Sequence, residues 1–309
     1  MPASIPALLA ALRLPTETRV EFEPLTGRAN GPRLAILRGP ESGAARRVVL
    51  RPARGSIEAE NHAAVSEALT NARFRFAPPV LGFADDDMVE EWAEGISAME
   101  MIPPDESGEA AIDALAALHA LPLREGLRWE IEPSGLIPGA ELPLYRLGFA
   151  AHERAAAREP LAAAREALLG DAFGFVHGDA TAGHVLLRQG GATIVGFGSA
   201  GFGLQLLDLA AFLLTAGLDA GARRALAMRY AGARSRPPGP LVALVDLAGI
   251  WWGIGELLEL PRRQILALGD EIATHRLQTA AARIQRGVRE PAGDHPAAAA
   301  IRAALWPPS

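Results

Sequence analysis

The chain has 309 residues, a mass of 32.5 kDa, a formal net charge of −6 and a sequence pI near 5.7. It contains no cysteine, which excludes disulfides and thiolate metal sites, and we expect a cytoplasmic protein. No run of about 18 apolar residues is free of charge, so we predict no membrane span. The acidic balance argues against nucleic acid as a partner.

The N-terminal part of the chain predicts a β-rich segment. Residues 20–25, 33–38 and 48–51 read as strands, because apolar side chains alternate or run together there. Residues 56–69 predict a helix with Ser56 as its N-cap. Residues 88–92 predict a further strand that leads to a glycine.

The remainder of the chain is mainly helical. The predicted helices cover residues 110–121, 142–169, 206–216, 220–230, 240–258 and 261–286, the last beginning at a proline. Trp251 and Trp252 lie on an otherwise apolar helix, where they either fill the core or line a ligand pocket.

One segment carries most of the functional information, the stretch from residue 175 to residue 210. It contains His177-Gly178-Asp179, then Gly183-His184, a strand that ends Ile194-Val195-Gly196-Phe197, and finally Asp208-Leu209-Ala210. The segment resembles the core of the aminoglycoside phosphotransferase family, whose loop runs His-Gly-Asp, four residues, then Asn, and whose strand ends Ile-Asp-Phe. The resemblance implies a protein-kinase-like α+β fold with two lobes, a small β-rich one over residues 1–95 and a larger helical one over residues 96–309.

The resemblance also assigns roles. Asp179 would be the catalytic base, His177 and Asp208 would brace its loop, and His119 in Leu115–His119 would be structural. In this chain, however, the two metal-ligand positions hold His184 and Gly196. Mg²⁺ requires oxygen ligands, which neither residue supplies, so we expect no metal site and loss of ordinary kinase chemistry.

If a nucleotide binds, the resemblance places it in the first lobe. The backbone around Gly27 and Asn30 would cover its phosphates, and the backbone of Glu91 and Trp92 would contact adenine. The family's strand lysine is replaced by Arg51, as expected in a chain whose 30 Lys+Arg residues are all arginine. A helix glutamate would pair with that arginine, and we favour Glu60 over Glu58.

Charge separates the ligand classes. Residues 1–209 carry 18 arginines and 28 acidic side chains, whereas residues 210–309 carry 12 and 8. The family builds its acceptor pocket from C-terminal helices, and this mildly basic region suits a neutral, anionic or aromatic ligand better than a polycation. Of these we favour a neutral or aromatic ligand. The expected ligand pocket combines Asp179, His184, Trp251 and Trp252.

Three hypotheses follow. The first is a small-molecule-binding protein that has lost phosphoryl transfer and protects its host by sequestering an antibiotic, a role that rests on analogy. The second is an active ATP- and Mg²⁺-dependent phosphotransferase with Asp179 as base. The third is a pseudokinase that regulates a protein partner. The first hypothesis implies no cofactor, and the sequence leaves the oligomeric state open.

Overall fold

The strands predicted near the N-terminus form one antiparallel sheet. The computed structural model describes residues 3–25, 32–40, 45–100, 105–122, 141–266 and 271–307. The sheet has the order β1-β2-β3-β5-β4. Its elements, with the two helices of the same lobe, are α1 (Ile5–Ala11), β1 (Arg19–Pro24), β2 (Arg33–Arg38), β3 (Arg46–Pro52), α2 (Ile57–Asn71), β4 (Val80–Ala84) and β5 (Asp87–Glu91).

A small core lies between this sheet and α1. Leu8 of α1 is fully buried against inward-facing side chains such as Leu50 and Val89. Helix α2 begins as predicted, because the Ser56 side chain accepts a hydrogen bond of 3.1 Å from the backbone N–H of Ala59.

The second lobe is mainly helical. Its elements are β6 (Ile96–Ser97), α3 (Asp105–His119), α4 (Glu141–Arg146), α5 (Ala151–Leu169), β7 (Phe173–Val176), β8 (Val185–Arg188), β9 (Gly191–Ile194), β10 (Gly201–Leu204), α6 (Gln205–Thr215), α7 (Ala220–Ala233), α8 (Pro238–Leu266), α9 (Glu271–Arg289) and α10 (Pro296–Leu305). All eleven residues of α6 are buried, and α6 packs against α8 in the larger of the two cores. This architecture confirms the predicted α+β, two-lobed fold.

Helix α8 differs from its prediction. We expected a break at Pro261, but α8 continues through this proline to Leu266. A proline removes one N–H donor and distorts one turn, and here the helix tolerates this near its end. By length and composition alone α8 could cross a membrane, but 67% of its most apolar stretch is buried inside the fold.

The chain passes between the lobes next to Gly95. β6 pairs with β8, and β8 pairs with β9, so the connection is fixed to the second lobe immediately after that glycine. Gly95 has φ of +153°, and a Cβ there would lie 2.9 Å from the carbonyl oxygen of Leu187. The close approach of two backbones therefore requires glycine.

Candidate functional site

The loop that follows β7 is held in place by the side chain of Asp208, on α6. The backbone N–H of His177 donates to Asp208 Oδ2 at 2.6 Å, and that of Gly178 donates to Oδ1 at 3.0 Å. His119 Nε2 lies 3.1 Å from the same carboxylate, and its Nδ1 lies 2.7 Å from the hydroxyl of Tyr230. Asp208 and His119 thus have the structural roles predicted for them.

His177 is also part of this support. Its Nε2 donates to the carbonyl of Val195 at 3.0 Å, and its Nδ1 accepts from the backbone N–H of Asp179 at 3.2 Å. Burial, followed by the charge of His184, lowers the pKa of His177 to about 4. His177 is therefore neutral at pH 7 and fixes the loop by hydrogen bonds.

Asp179 and His184 lie side by side at the end of the loop. The Asp179 side chain is 32% exposed, and its Oδ2 lies 3.6 Å from His184 Nδ1. His184 Nδ1 also lies 2.8 Å from the backbone carbonyl of Asp179. A carbonyl only accepts, so Nδ1 carries the proton and Nε2 is left as an acceptor in the neutral ring. The structure thus brings together these two predicted pocket residues.

The Cδ2 and Nε2 atoms of the His184 ring lie against Gly196. The backbone of this glycine lies in the left-handed region, with φ of 87° and ψ of 49°. A Cβ at this position would lie 2.8 Å from His184 Cδ2 and 3.1 Å from Nε2. Carbon atoms normally approach to no less than about 3.5 Å, so the imidazole already fills the space that a side chain at position 196 would need.

Arg51, on β3, contacts a carboxylate that the sequence analysis did not name. Its Nε donates to Glu90 Oε2 at 2.6 Å, and the Glu90 side chain is only 4% exposed. The other Glu90 oxygen lies 3.3 Å from His62 Nε2. Burial raises the pKa of Glu90, but the hydrogen bond from His62 and the charge of Arg51 outweigh it, so the pKa is lowered.

The strand register explains this contact, and the predicted pairing of Arg51 with Glu60 stays a prediction beside it. In the β3–β5 ladder Arg51 lies opposite Met88, and Val49 lies opposite Glu90. Arg51 and Glu90 are therefore diagonal neighbours on one face of the sheet, within reach of long side chains.

Helix α2 contacts the turn that follows Gly196. Asn61 Nδ2 donates to the carbonyls of Gly198 and Ala200 at 3.0 and 2.8 Å. The Glu58 side chain lies on Gly198, where a Cβ would come within 2.6 Å of Glu58 Cγ. Glu58, one of the two helix glutamates considered, therefore lies against this turn.

The remaining nucleotide-binding predictions have no test in the structure. Gly27 and Asn30 lie outside the described residues. The backbone N–H of Glu91 donates to the carbonyl of Pro79 at 3.1 Å, within the first lobe. Trp92 is partly buried. The adenine contacts of Glu91 and Trp92 stay predictions.

Helix α8 contributes a carboxylate that the sequence did not single out. Glu256 accepts two contacts from Arg263, at 3.0 and 3.2 Å. Burial raises the pKa of Glu256 to about 7, opposed by Arg263 and reinforced by the negative charge of Asp179. By contrast, Trp251 and Trp252 are 4% and 8% exposed and belong to the larger core, which favours packing over ligand contact.

Comparisons with known proteins identify the family and support the fold. The model of the phosphotransferase enzyme family (APH) matches residues 35–240, about two thirds of the chain. The chain belongs to this family. No curated protein matches the chain.

Solved structures show the same fold at low sequence identity. A choline/ethanolamine kinase family protein from Mesorhizobium loti is 17% identical, with a TM-score of 0.63 over 96% of this chain and 98% of that one. A choline kinase from Cryptosporidium parvum is 12% identical, with a TM-score of 0.61 over 92% and 94%. An aminoglycoside phosphotransferase from Alicyclobacillus acidocaldarius is 15% identical, with a TM-score of 0.58 over 98% and 96%.

The phosphotransferase family implies Mg²⁺, and the residues of this chain do not fit it. At the two ligand positions a glycine offers no donor, and a histidine offers nitrogen, which suits softer metals. The His184 ring also occupies the space beside Gly196. In the part of the chain that the structure describes, no group of three or more His, Cys, Asp or Glu side chains could hold a metal ion.

Two site residues, Glu90 and Glu256, escaped the sequence analysis. Glu90 directly follows the apolar pair Met88-Val89 within a predicted strand, and Glu256 lies on an apolar helix. An acidic residue at such a position is costly to bury unless it is paired. An acidic residue in such a segment therefore indicates a buried ion pair, but it does not indicate which residue is the partner.

Proposed function

We propose that this member of the phosphotransferase family binds a small organic molecule beside Asp179 without Mg²⁺-dependent phosphoryl transfer. The observation that carries the proposal is the contact between His184 and Gly196, in which an imidazole fills the space of a missing carboxylate. Phosphoryl transfer depends on positioning and on metal ions that neutralise developing charge. Without oxygen ligands at these positions, this chain lacks that neutralisation.

The proposed ligand is neutral or aromatic rather than polycationic. The Asp179 side chain is about one-third exposed and can receive a hydrogen bond from a ligand. The acceptor nitrogen of the neutral His184 ring, Nε2, lies on the side of Gly196, because Nδ1 is bound to the Asp179 carbonyl. Arg263 balances the charge of Glu256 on α8. The site therefore offers hydrogen bonding without the dense negative charge that a polycation would need. Sequestration of an antibiotic in the cytoplasm is the biological role that we propose by analogy.

A second candidate is an active phosphotransferase with unusual metal ligation. The support for it is the intact loop, because Asp208 holds the His177 and Gly178 amides and leaves Asp179 accessible. Asp179 could then accept a proton from a substrate hydroxyl.

A turnover assay separates the two candidates. The purified protein is incubated with ATP, Mg²⁺ and a panel of acceptors that includes choline, ethanolamine and aminoglycosides, and ADP release is followed. We expect no acceptor-dependent release above background. Acceptor-dependent turnover would overturn the binding proposal in favour of the phosphotransferase.

Asp179→Asn provides the matching test once a ligand has been found by thermal-shift screening. If the protein only binds, the variant keeps its ligand affinity within a few-fold, whereas an enzyme would lose turnover. Asp113→Asn is the control, because Asp113 pairs on the surface with Arg229. A ligand that binds the Asp179 variant and the wild type equally, with no turnover in either, supports the proposal.

A further inference from the structure

A cavity inside the second lobe contains a buried arginine that the candidate site does not use. The cavity lies between α6, α7, α8 and the last turn of α9, and its volume is about 20 Å³. Apolar side chains such as Leu213, Ala227 and Val245 form most of its wall, and its charged residues are Arg223 and Asp246. A volume of this size holds about one or two molecules as small as water.

Arg223 is buried, but no carboxylate forms a close ion pair with it in the described part of the chain. Its side chain is 4% exposed, and its Nη2 donates to the backbone carbonyl of Glu290 at 2.8 Å. The nearest carboxylate oxygen, Glu290 Oε2, lies 3.9 Å away on a side chain that is 44% exposed. Asp246 instead accepts two hydrogen bonds from Arg302, at 2.7 and 2.8 Å, and one from the backbone N–H of Ala292. A guanidinium carries five N–H donors, so Arg223 can donate to a further acceptor.

The charges around Arg223 do not balance. Glu290 and Asp246 attract it, whereas Arg302 and Arg286 repel it, so three guanidinium groups face two carboxylates here. Burial changes the pKa of Arg223 more than any of these charges does, and it lowers that pKa, as expected for a cation that is incompletely compensated. Burying a charge is costly unless a partner of opposite sign accompanies it. One positive charge in this region therefore lacks a partner.

We propose that this cavity binds a small monovalent anion, chloride or an ion of similar size, against the guanidinium of Arg223. The N–H groups of Arg223 donate to the ion, and the apolar wall surrounds the rest of it. The cavity is too small for sulfate or phosphate. A water molecule would meet few of the polar partners that it needs and would leave the excess charge in place. Because α6 forms one wall and also carries Asp208, the ion stabilises the helix that holds the loop.

The test is the dependence of stability on the anion at constant ionic strength. The free energy of unfolding is measured in urea while sodium gluconate, whose anion is too large for the cavity, is replaced by sodium chloride or sodium bromide. We expect a rise that saturates with a midpoint at millimolar halide, because a ligand that binds only the folded protein stabilises it by mass action. Crystals grown in bromide should show anomalous density beside Arg223.

Three variants locate the ion. Arg223→Met removes the charge and should weaken halide binding at least about tenfold, since a hydrogen-bonded charge is lost. Arg229→Met is the matched control on the same helix, because Arg229 pairs at the surface with Asp113, and it should keep the wild-type response. Gly249→Ala keeps Arg223 but reduces the space, since Gly249 lines the cavity and its new Cβ would lie in ordinary contact with Leu214, at 3.6 Å. We expect a smaller halide response in this variant.

The results decide the inference as follows. A halide response that is lost in Arg223→Met and kept in Arg229→Met supports it. Equal stability in halide and gluconate, or the same halide response in every variant, overturns it. Should Arg223→Met not fold, an undiminished response in Gly249→Ala overturns it, as does the lack of bromide density beside Arg223 in any case. None of these results bears on ligand binding beside Asp179, so the proposed function stands or fails separately.

Discussion

Gly196→Asp should destabilise the protein strongly, and His184→Asn should relieve much of that loss. An L-residue in the left-handed region costs roughly 1–2 kcal/mol. The new Cβ would also lie 2.8 Å from His184 Cδ2, and overpacking of this kind costs roughly 1–3 kcal/mol. The two terms together give an expected loss of about 2–5 kcal/mol for the single variant.

The double-mutant cycle isolates the steric part of this loss. His184→Asn alone should cost about 1 kcal/mol, since it loses the hydrogen bond to the Asp179 carbonyl. Combined with Gly196→Asp it removes the ring that the new side chain meets, so the two changes should couple favourably by about 1–3 kcal/mol. The free energy of unfolding of the four proteins, from urea denaturation, gives this coupling directly.

Gly190→Asp is the control for backbone strain. Gly190 has φ of +71°, and nothing lies within 4 Å of an added Cβ. This change should cost only the backbone term and should not couple to His184→Asn. Effects at positions 184 and 196 that add within about 0.5 kcal/mol would refute the steric argument. The double variant also restores two oxygen donors, so a Mg²⁺ titration shows whether the rest of the cleft still accommodates the ion.

Further predictions concern the support of the loop and its titrating groups. Asp208→Asn should lower the free energy of unfolding, measured in urea, by about 2–4 kcal/mol, because two backbone amides and His119 are hydrogen-bonded to this carboxylate. A loss no larger than that for a surface carboxylate would contradict this. The pKa of His177 in the folded protein is about 4, so its contribution to stability is complete above pH 6.5 and is lost as the pH falls toward 4. An NMR titration in which the His177 signal changes near pH 6.5 would disprove this. Glu256 behaves oppositely, since its raised pKa of about 7 gives stability that is present below pH 4.5 and is lost as pH rises through 7. Glu256→Gln should therefore flatten the pH dependence of stability between 5 and 8, by up to about 3 kcal/mol, and an unchanged profile would rule this out.

The sequence predicted much of the framework because local patterns determine it. The strand Arg33–Arg38 and the Ser56 cap both follow from alternation and capping preferences within a few residues. Helix α8 shows the limit of such rules, since Pro261 breaks helices in general but is carried here within a long packed helix.

The site was less predictable because its contacts join distant positions. Arg51 and Glu90 are 39 residues apart, and only strand order and register bring them together. Similarly, the losses at positions 184 and 196 read in the sequence as two independent changes. In the structure the two positions are linked, because the His184 ring occupies the space beside Gly196. This packing depends on the left-handed backbone at Gly196, which no local motif specifies.

The packing of His184 against Gly196 also makes these two positions depend on each other. In the present arrangement the ring and a side chain at position 196 need the same space, so aspartate fits at position 196 only if the ring moves or is replaced. Restoring the family's residues one position at a time therefore passes through a strained protein when it begins at position 196, whereas beginning at position 184 avoids that strain.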